Sequence, residues 1–273
     1  NVTLVAAMTV AGAGQLWIDA TATLTSNGKT WPNMLWPRTA GTITVTLADN
    51  WIVGDLNLSV SAGTVTLNSN TLTTLGDCTV QSTSNGCSGT TQVIMAGTGV
   101  LSTAPSSYLR LPLEINTAGT ITLGTWLLKG NDFIITAGTV VTTGNTLQLQ
   151  NVSMNLQTNG VVFNNVTFGN TTGVVVTLLD DLNVNGTLQL GTSNSNNYTI
   201  NGFNIYANGN LTCRGITARM IGTTNIIVSG NCTWVADPSA WIELPLFVNT
   251  AGTLTISGFV FYRSNTFTYV AGT

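Results

Sequence analysis

The chain has 273 residues, of which only 7 are Lys or Arg and 10 are Asp or Glu, giving a net charge of −3. So few cations exclude nucleic acid as a partner, because binding it requires clustered Lys and Arg. Histidine is absent, which excludes Ser-His and Cys-His triads and removes the commonest metal ligand. No apolar run approaches the roughly 20 residues of a membrane helix, so we expect no membrane insertion.

The predicted secondary structure is entirely β. Apolar residues alternate with Thr, Asn or Ser, as in strands that have one buried face, and Gly with Asn, Asp or Ser breaks the strands apart. No segment shows the 3.6-residue period of an amphipathic helix. In chain order the clearest predicted strands are 41–47 (GTITVTL), 63–69 (GTVTLNS), 146–157 (TLQLQNVSMNLQ), 173–179 (GVVVTLL), 182–190 (LNVNGTLQL) and 252–262 (GTLTISGFVFY).

A tripeptide, Ala-Gly-Thr, recurs between these strands. Its copies begin at Ala40, Ala62, Ala96, Ala118, Ala137, Ala251 and Ala271. The closest copies follow one another at an interval of about 20 residues, which is the range of solenoid repeats. Short strands joined by small corner residues at this period predict a β-solenoid resembling a parallel β-helix, in which each coil stacks on the one before. Tandem antiparallel β-sandwiches are the alternative architecture.

The chain also contains a longer repeat. The segment 94–120 matches 227–253 at 12 of 27 positions, and LPLEINTAGT matches LPLFVNTAGT at eight of ten. With other matches at offsets of 131 to 133, this indicates a tandem duplication of a module of roughly 132 residues. We predict the end of a preceding repeat unit at 1–30, a first module at 31–162 and a second, truncated module at 163–273, all within a longer polypeptide.

The repeated NTAGT phrase predicts a corner. Asn and Gly tolerate left-handed backbone angles, and Ala fits where space is short. We expect the leucines before each corner to point inward, namely Leu111, Leu113, Leu244 and Leu246.

The acidic residues can be tested for catalysis by comparing the two modules. Asp180 and Asp181 are the only adjacent carboxylates, and a pair of acids could serve glycoside hydrolysis. Their counterparts are Asp49 and Asn50, so the second acid is missing from the first module. We therefore predict that Asp49 and Asp180 accept turn N–H groups, and we predict no catalytic residue and no cofactor.

Two other charges occupy equivalent positions with opposite sign. Arg110 corresponds to Glu243, which argues against a shared anion site. We interpret both as solvated side chains.

Seven Trp residues are the candidates for ligand contact, because exposed aromatic faces stack on sugar rings and anchor interfaces. Four of them crowd the first module: Trp17, Trp31, Trp36 and Trp51. Core or cap packing is the alternative interpretation of these residues.

The four cysteines form no C-x-x-C motif, and without His a zinc site is not expected. Cys213 and Cys232 are separated by about one coil, while Cys78 and Cys87 bracket a polar loop. We predict these two pairs as local disulfides of an extracellular protein; free buried thiols are the alternative.

The phrases NTAGTITLGTW, TYVAGT and AGTVVTTGNTLQLQNV resemble the Thr/Gly/Asn-rich repeats of bacteriophage tail-fibre and other virion surface proteins. The resemblance covers nearly all of the chain and includes no functional motif. It implies a structural or adhesive segment on a virion surface or outside a cell, in a homotrimer or a larger assembly, with host surface carbohydrate or protein as partner. A bacterial adhesin or extracellular filament subunit is the alternative, and a carbohydrate-active β-helix enzyme is a weaker one.

Overall fold

A computed structural model of the chain describes residues 1–4, 11, 14–37, 41–58, 64–81, 87–105, 107–150, 152–169, 173–192, 197–214, 219–238, 241–258, 261–262 and 266–271. These residues form strands and turns and no α-helix. Accordingly, none of them belongs to a helix long and apolar enough to cross a membrane.

The chain divides into two compact units, Asn1–Val141 and Thr142–Thr273. The strands of unit 1 are β1 (Val2–Thr3), β2 (Leu16–Ile18), β3 (Ala22–Thr25), β4 (Thr30–Trp31), β5 (Leu35–Pro37), β6 (Ile43–Leu47), β7 (Trp51–Val53), β8 (Leu56–Asn57), β9 (Val65–Asn68), β10 (Thr71–Thr74), β11 (Cys78–Val80), β12 (Cys87–Gly89), β13 (Gln92–Met95), β14 (Gly99–Thr103), β15 (Leu109–Arg110), β16 (Leu113–Leu123), β17 (Trp126–Lys129) and β18 (Phe133–Val141).

The strands of unit 2 are β19 (Thr146–Leu149), β20 (Met154–Gln157), β21 (Val162–Phe163), β22 (Asn165–Phe168), β23 (Val174–Leu178), β24 (Leu182–Val184), β25 (Thr187–Leu190), β26 (Tyr198–Gly202), β27 (Ile205–Ala207), β28 (Asn210–Cys213), β29 (Arg219–Gly222), β30 (Ile226–Val228), β31 (Cys232–Ala236), β32 (Trp241–Ile242), β33 (Leu246–Asn249), β34 (Leu254–Gly258), β35 (Phe261–Tyr262) and β36 (Phe267–Ala271).

Unit 1 is a β-solenoid with three faces, each a ladder of parallel strands. Face 1 contains β1, β3, β6, β9, β12, β15 and β17. Face 2 contains β4, β7, β10, β13 and the first parts of β16 and β18. Face 3 contains β2, β5, β8, β11 and β14, followed by the last parts of β16 and β18. The predicted solenoid is thus confirmed, and parallel pairing replaces the antiparallel alternative.

Unit 2 has the same three faces. They contain β20, β23, β26, β29, β32 and β35 (face 1), β21, β24, β27, β30, β33 and β36 (face 2), and β19, β22, β25, β28, β31 and β34 (face 3). The coils differ in length, since Thr146 pairs with Asn165 across a shorter coil than the one that joins Val174 to Tyr198. The coil averages about 22 residues, slightly longer than predicted.

The two units share their register where the sequence repeat is strongest. Val93 pairs with Leu113 in unit 1, and at an offset of 133 Ile226 pairs with Leu246 in unit 2. The repeat also extends beyond the matching sequence, because β3, β6 and β9 of face 1 have counterparts in β20, β23 and β26. The two compact units divide between Val141 and Thr142, whereas the modules predicted from the sequence are 31–162 and the truncated 163–273.

The NTAGT corner forms by a contact that the sequence did not reveal. In unit 1 the Thr117 hydroxyl donates to the Gly97 carbonyl at 2.8 Å and accepts the Gly119 N–H at 2.9 Å. Thr250 makes the same two bonds at the matching corner of unit 2. A Cβ on Gly119 would lie 2.2 Å from the Thr98 hydroxyl. Close approach of the Thr98 side chain, rather than a left-handed backbone angle, therefore favours glycine here.

The core lies between the three faces of each unit. Inward positions alternate with outward ones, so each strand contributes a few apolar side chains. The four leucines predicted to precede the corners are all buried: Leu111, Leu113, Leu244 and Leu246. That prediction is confirmed.

Candidate functional site

The carboxylates that sequence comparison assigned to structure do hold turns. Asp180 accepts the N–H groups of Thr158 and Asn159 at 2.7 and 2.6 Å. Asp49 accepts two turn N–H groups, from Ser26 and Asn27, at the same two distances. The prediction that both acids receive turn N–H groups is confirmed.

The environment of Asp49 keeps it ionised. Burial on its own would raise the pKa of this carboxyl, but the hydrogen bonds from Ser26 and Asn27 outweigh it and lower the pKa below the ordinary value. A carboxylate held in this way is a poor proton donor. It serves as a fixed acceptor between neighbouring coils.

Three other carboxylates also accept main-chain N–H groups from a neighbouring coil. Asp181 accepts the Asn204 N–H at 3.0 Å, Asp55 accepts that of Asp77 at 2.8 Å, and Asp77 accepts that of Val100 at 2.7 Å. Each of these bonds spans one coil. Within the described residues, no group of three or more Cys, Asp or Glu side chains is placed to hold a metal ion.

The sequence suggested that Arg110 and Glu243 are solvated side chains. In the structure, each of them instead has a local interaction partner. The Arg110 guanidinium lies over the Tyr108 ring, 5.2 Å from its centroid. Glu243 forms a bidentate ion pair with Arg219, in which the shortest N–O distance is 2.7 Å. The opposite charges at these equivalent positions each have a local partner.

The four Trp residues predicted to contact a ligand differ in their solvent exposure. Trp51 is completely buried, so the prediction is wrong for it. On β7 the Trp51 side chain points inward and that of Ile52 points outward. Trp31 is half-buried, and the Trp36 side chain lies outside the described residues. Only Trp17, which donates to the Gln15 side chain at 2.9 Å, is well exposed.

The structure also corrects the predicted disulfides, because all four cysteines are free, buried thiols. Cys213 pairs in register with Ala236, four positions along the strand from Cys232. At about 3.3 Å per residue this offset is roughly 13 Å, far beyond the reach of a disulfide. Cys78 and Cys87 lie on different faces of unit 1.

Burial disfavours the thiolate form of these cysteines. It raises the pKa of Cys78 and of Cys213 to about 12, and it raises the pKa values of Cys87 and Cys232 as well. Thiolate is the reactive form of cysteine, so the native thiols should react slowly.

A candidate binding surface is an outward column on face 2 of unit 2. Its six members pair in register on successive coils, and we call them the strip: Val162, Asn183, Tyr206, Ile227, Phe247 and Thr268. Tyr206, Ile227 and Phe247 are each half-buried, and each lies between fully buried neighbours on its strand. Tyr206 and Phe247 are two coils apart, about 10 Å at the usual strand spacing.

Amide side chains border the strip on both sides. On one side the Asn208 amide donates to the Asn185 side chain at 2.9 Å, and the Ser229 hydroxyl donates to Asn208. On the other side the Asn225 amide donates to Asn204 at 2.9 Å. A side-chain amide that donates one N–H to its neighbour still carries a second one, so both borders present hydrogen-bonding groups.

Unit 1 has the same column without its aromatic residues. The register partners Thr73, Ile94 and Glu114 occupy the positions that correspond to the three central members of the strip. The scaffold is therefore duplicated, while among the described residues this column contains aromatic side chains in unit 2 and none at the three matching positions of unit 1. Because the inward residues and the corners are common to both units, the scaffold itself does not require the outward aromatic residues of unit 2.

No protein-family model matches this chain, and no curated protein or solved structure matches it either.

The strip has the chemistry of a surface for neutral, hydroxyl-rich ligands. Aromatic faces stack on the apolar faces of sugar rings, and amides hydrogen-bond to hydroxyl groups. Sequence reasoning missed Tyr206 and Phe247 because it followed Trp alone. Their signal was present in the spacing, since Tyr206, Ile227 and Phe247 follow one another at intervals of about one coil.

Proposed function

We propose that this chain is a structural and adhesive segment of a fibre on the surface of a virus particle, without catalytic activity of its own. The observation that carries the adhesive part is the strip with its bordering amides. The virion assignment follows from the resemblance of the Thr/Gly/Asn-rich phrases to tail-fibre repeats.

The partner we propose is a neutral polysaccharide of a host surface, lying along the strip. Two consecutive sugars of an extended chain cover the distance between Tyr206 and Phe247, so both rings can stack on the same ligand. In the part of the chain that the structure describes, the borders contain one charged residue, Asp181, whose carboxylate already accepts the Asn204 N–H. Binding a neutral glycan at this surface therefore costs less desolvation free energy than binding an anionic one.

The absence of catalysis is supported by the use of the acids. Asp49, Asp55, Asp77, Asp180 and Asp181 each accept at least one main-chain N–H from a neighbouring coil. A general acid must be free to reach the reacting bond of the substrate. These carboxylates instead join coils, and their loss should affect stability more than any reaction.

The test is to titrate the chain with neutral hexasaccharides of glucose, N-acetylglucosamine and mannose, and to assay each mixture for new reducing ends. We expect binding without cleavage. Tyr206→Ala with Phe247→Ala should weaken binding by about 100-fold, since each lost stacking contact costs roughly 1–1.5 kcal/mol.

Unit 1 offers a matched control. Thr73→Ala with Glu114→Ala changes the equivalent positions and should leave the affinity unchanged. Turnover that Asp180→Asn abolishes would contradict the non-catalytic proposal, and binding that survives loss of both rings would place the ligand elsewhere.

A further inference from the structure

A corner beside the strip exposes two apolar side chains. Leu179 follows β23 and is 42% exposed, and Phe203 follows β26 and is 54% exposed. Leu178 pairs in register with Gly202 directly before them, so the two exposed residues are neighbours on successive coils. About 5 Å separates such neighbours along a ladder. We call Leu179 and Phe203 the corner pair.

The matching corner of unit 1 carries smaller or polar residues. Offsets of 131 and 133 place Ala48 opposite Leu179 and Asn70 opposite Phe203. The Asn70 amide donates to the Leu47 carbonyl of the preceding coil at 2.6 Å, which is a structural role that a phenyl ring cannot perform. The fold of the corner therefore does not account for the exposed ring of Phe203.

The corner pair lies just beyond an amide border of the strip. Phe203 precedes Tyr206 by three residues, so at most about 10 Å of chain joins the corner to the strip. Between them lies Asn204, whose side-chain oxygen accepts a hydrogen bond from the Asn225 amide of the next coil at 2.9 Å. This amide pair keeps a second N–H as donor and a second lone pair as acceptor. From Tyr206 outward, the surface thus presents an aromatic ring, then a donor and an acceptor, then apolar carbon.

We infer that this order of groups recognises a 2-acetamido sugar, whose ring stacks on Tyr206 while its acetyl methyl group packs against the corner pair. An acetamido group contains one N–H, one carbonyl oxygen and one methyl group. The amide border and the corner pair offer a partner for each of them.

A sugar with a hydroxyl group in the same position leaves the corner pair exposed to water, so it removes less apolar surface from water on binding. The inference rests on the proposed function and adds the class of the glycan to it, namely a polymer that contains N-acetylhexosamine.

The experiment is a titration of the intact chain with two β-1,4-linked hexasaccharides that differ in this group alone, one of N-acetylglucosamine and one of glucose. The native chain should bind the N-acetylglucosamine hexasaccharide at least about 10-fold more tightly. Phe203→Asn with Leu179→Ala introduces the residues that unit 1 carries at the matching positions, so the variant should fold. It should make the two affinities equal.

Val235→Ala is the matched control, because Val235 is 40% exposed on β31, on a different face from the strip. This variant should keep the preference of the native chain. Equal affinities in the native chain, or a preference that survives in the Phe203→Asn, Leu179→Ala variant, would overturn this inference and leave the proposed glycan binding intact. A chain that binds neither hexasaccharide would overturn both.

Discussion

Lys129 is a charged-type residue at an apolar position. It occupies the inward column of face 1 after Leu109 and is completely buried. Its amino group donates to the carbonyl oxygens of Leu109 and Leu111. Burial lowers the pKa of Lys129 to about 7, although Asp132 and Cys78 act in the opposite direction. The core thus holds an amine that is largely uncharged in weakly basic solution.

Replacing Lys129 with Met should stabilise unit 1 in a pH-dependent way. The pKa of Lys129 falls from 10.5 to about 7 on folding, so the native chain loses stability as pH drops from about 10.5 to about 7, and loses no more below that. The full drop corresponds to roughly 5 kcal/mol. In urea unfolding, the advantage of Lys129→Met over the native chain should therefore grow across this interval and then level off.

Lys29→Met provides the control, because Lys29 is partly exposed in a turn. This variant removes the same type of charge from a surface position and should change stability by less than about 0.5 kcal/mol. A Lys129→Met advantage that is the same at pH 10 and at pH 7 would show that the amine does not titrate in this interval.

At the scale of the strand, Tyr198 shows how one side chain links several elements. It lies inward on β26 and donates its hydroxyl to the Leu149 carbonyl of β19 at 2.8 Å. Its ring meets Phe168 of β22 edge to face, with centroids 6.0 Å apart. Burial raises the pKa of this Tyr198 hydroxyl, which keeps it a donor. Strands of two faces are thereby joined through the core of unit 2.

Tyr198→Phe should destabilise the protein by about 1–2 kcal/mol, because the ring is kept but the buried Leu149 carbonyl loses its donor. Denaturant unfolding measures the change. Tyr206→Phe removes a hydroxyl from the outward strip and should change stability by less than about 0.5 kcal/mol. Equal losses in both variants would contradict the assigned hydrogen bond.

The strands could be predicted because apolar and polar residues alternate along the sequence, as in ITVTL of β6. Which side of a strand faces inward was harder where two large apolar residues adjoin. Trp51 and Ile52 illustrate this, since only the pairing of Trp51 with the buried Leu72 shows which of them is inward. Contacts between coils, such as that of Thr117, depend on coil lengths that vary along the chain and cannot be read from spacing alone.

At the scale of the whole molecule, the sequence revealed a duplicated module, and the structure shows that the duplication includes ladders whose sequences have diverged. The common features are inward apolar residues and corner acceptors, such as Asp49 and Asp180. The differing features are outward side chains, above all Tyr206 and Phe247. A common scaffold with a divergent surface is what we expect when one copy has acquired a binding role.

Because the four thiols are free and buried, no disulfide joins the coils. Titration of the native chain with a thiol reagent should therefore give almost no reaction, and titration after unfolding in urea without reductant should give four thiols per chain. The reaction rate of the native chain should follow global unfolding. Fewer than four thiols in freshly isolated unfolded protein would restore the disulfide prediction.

The central claim is that the strip of unit 2 binds a neutral glycan and leaves it intact. The most direct test is an experimental structure of the chain with whichever neutral hexasaccharide binds best. We predict an uncleaved ligand along face 2 of unit 2, with sugar rings over Tyr206 and Phe247 and hydroxyls at the Asn208 and Asn225 amides. A ligand bound on unit 1 or around Trp17, or a hydrolysed product in the density, would contradict the account.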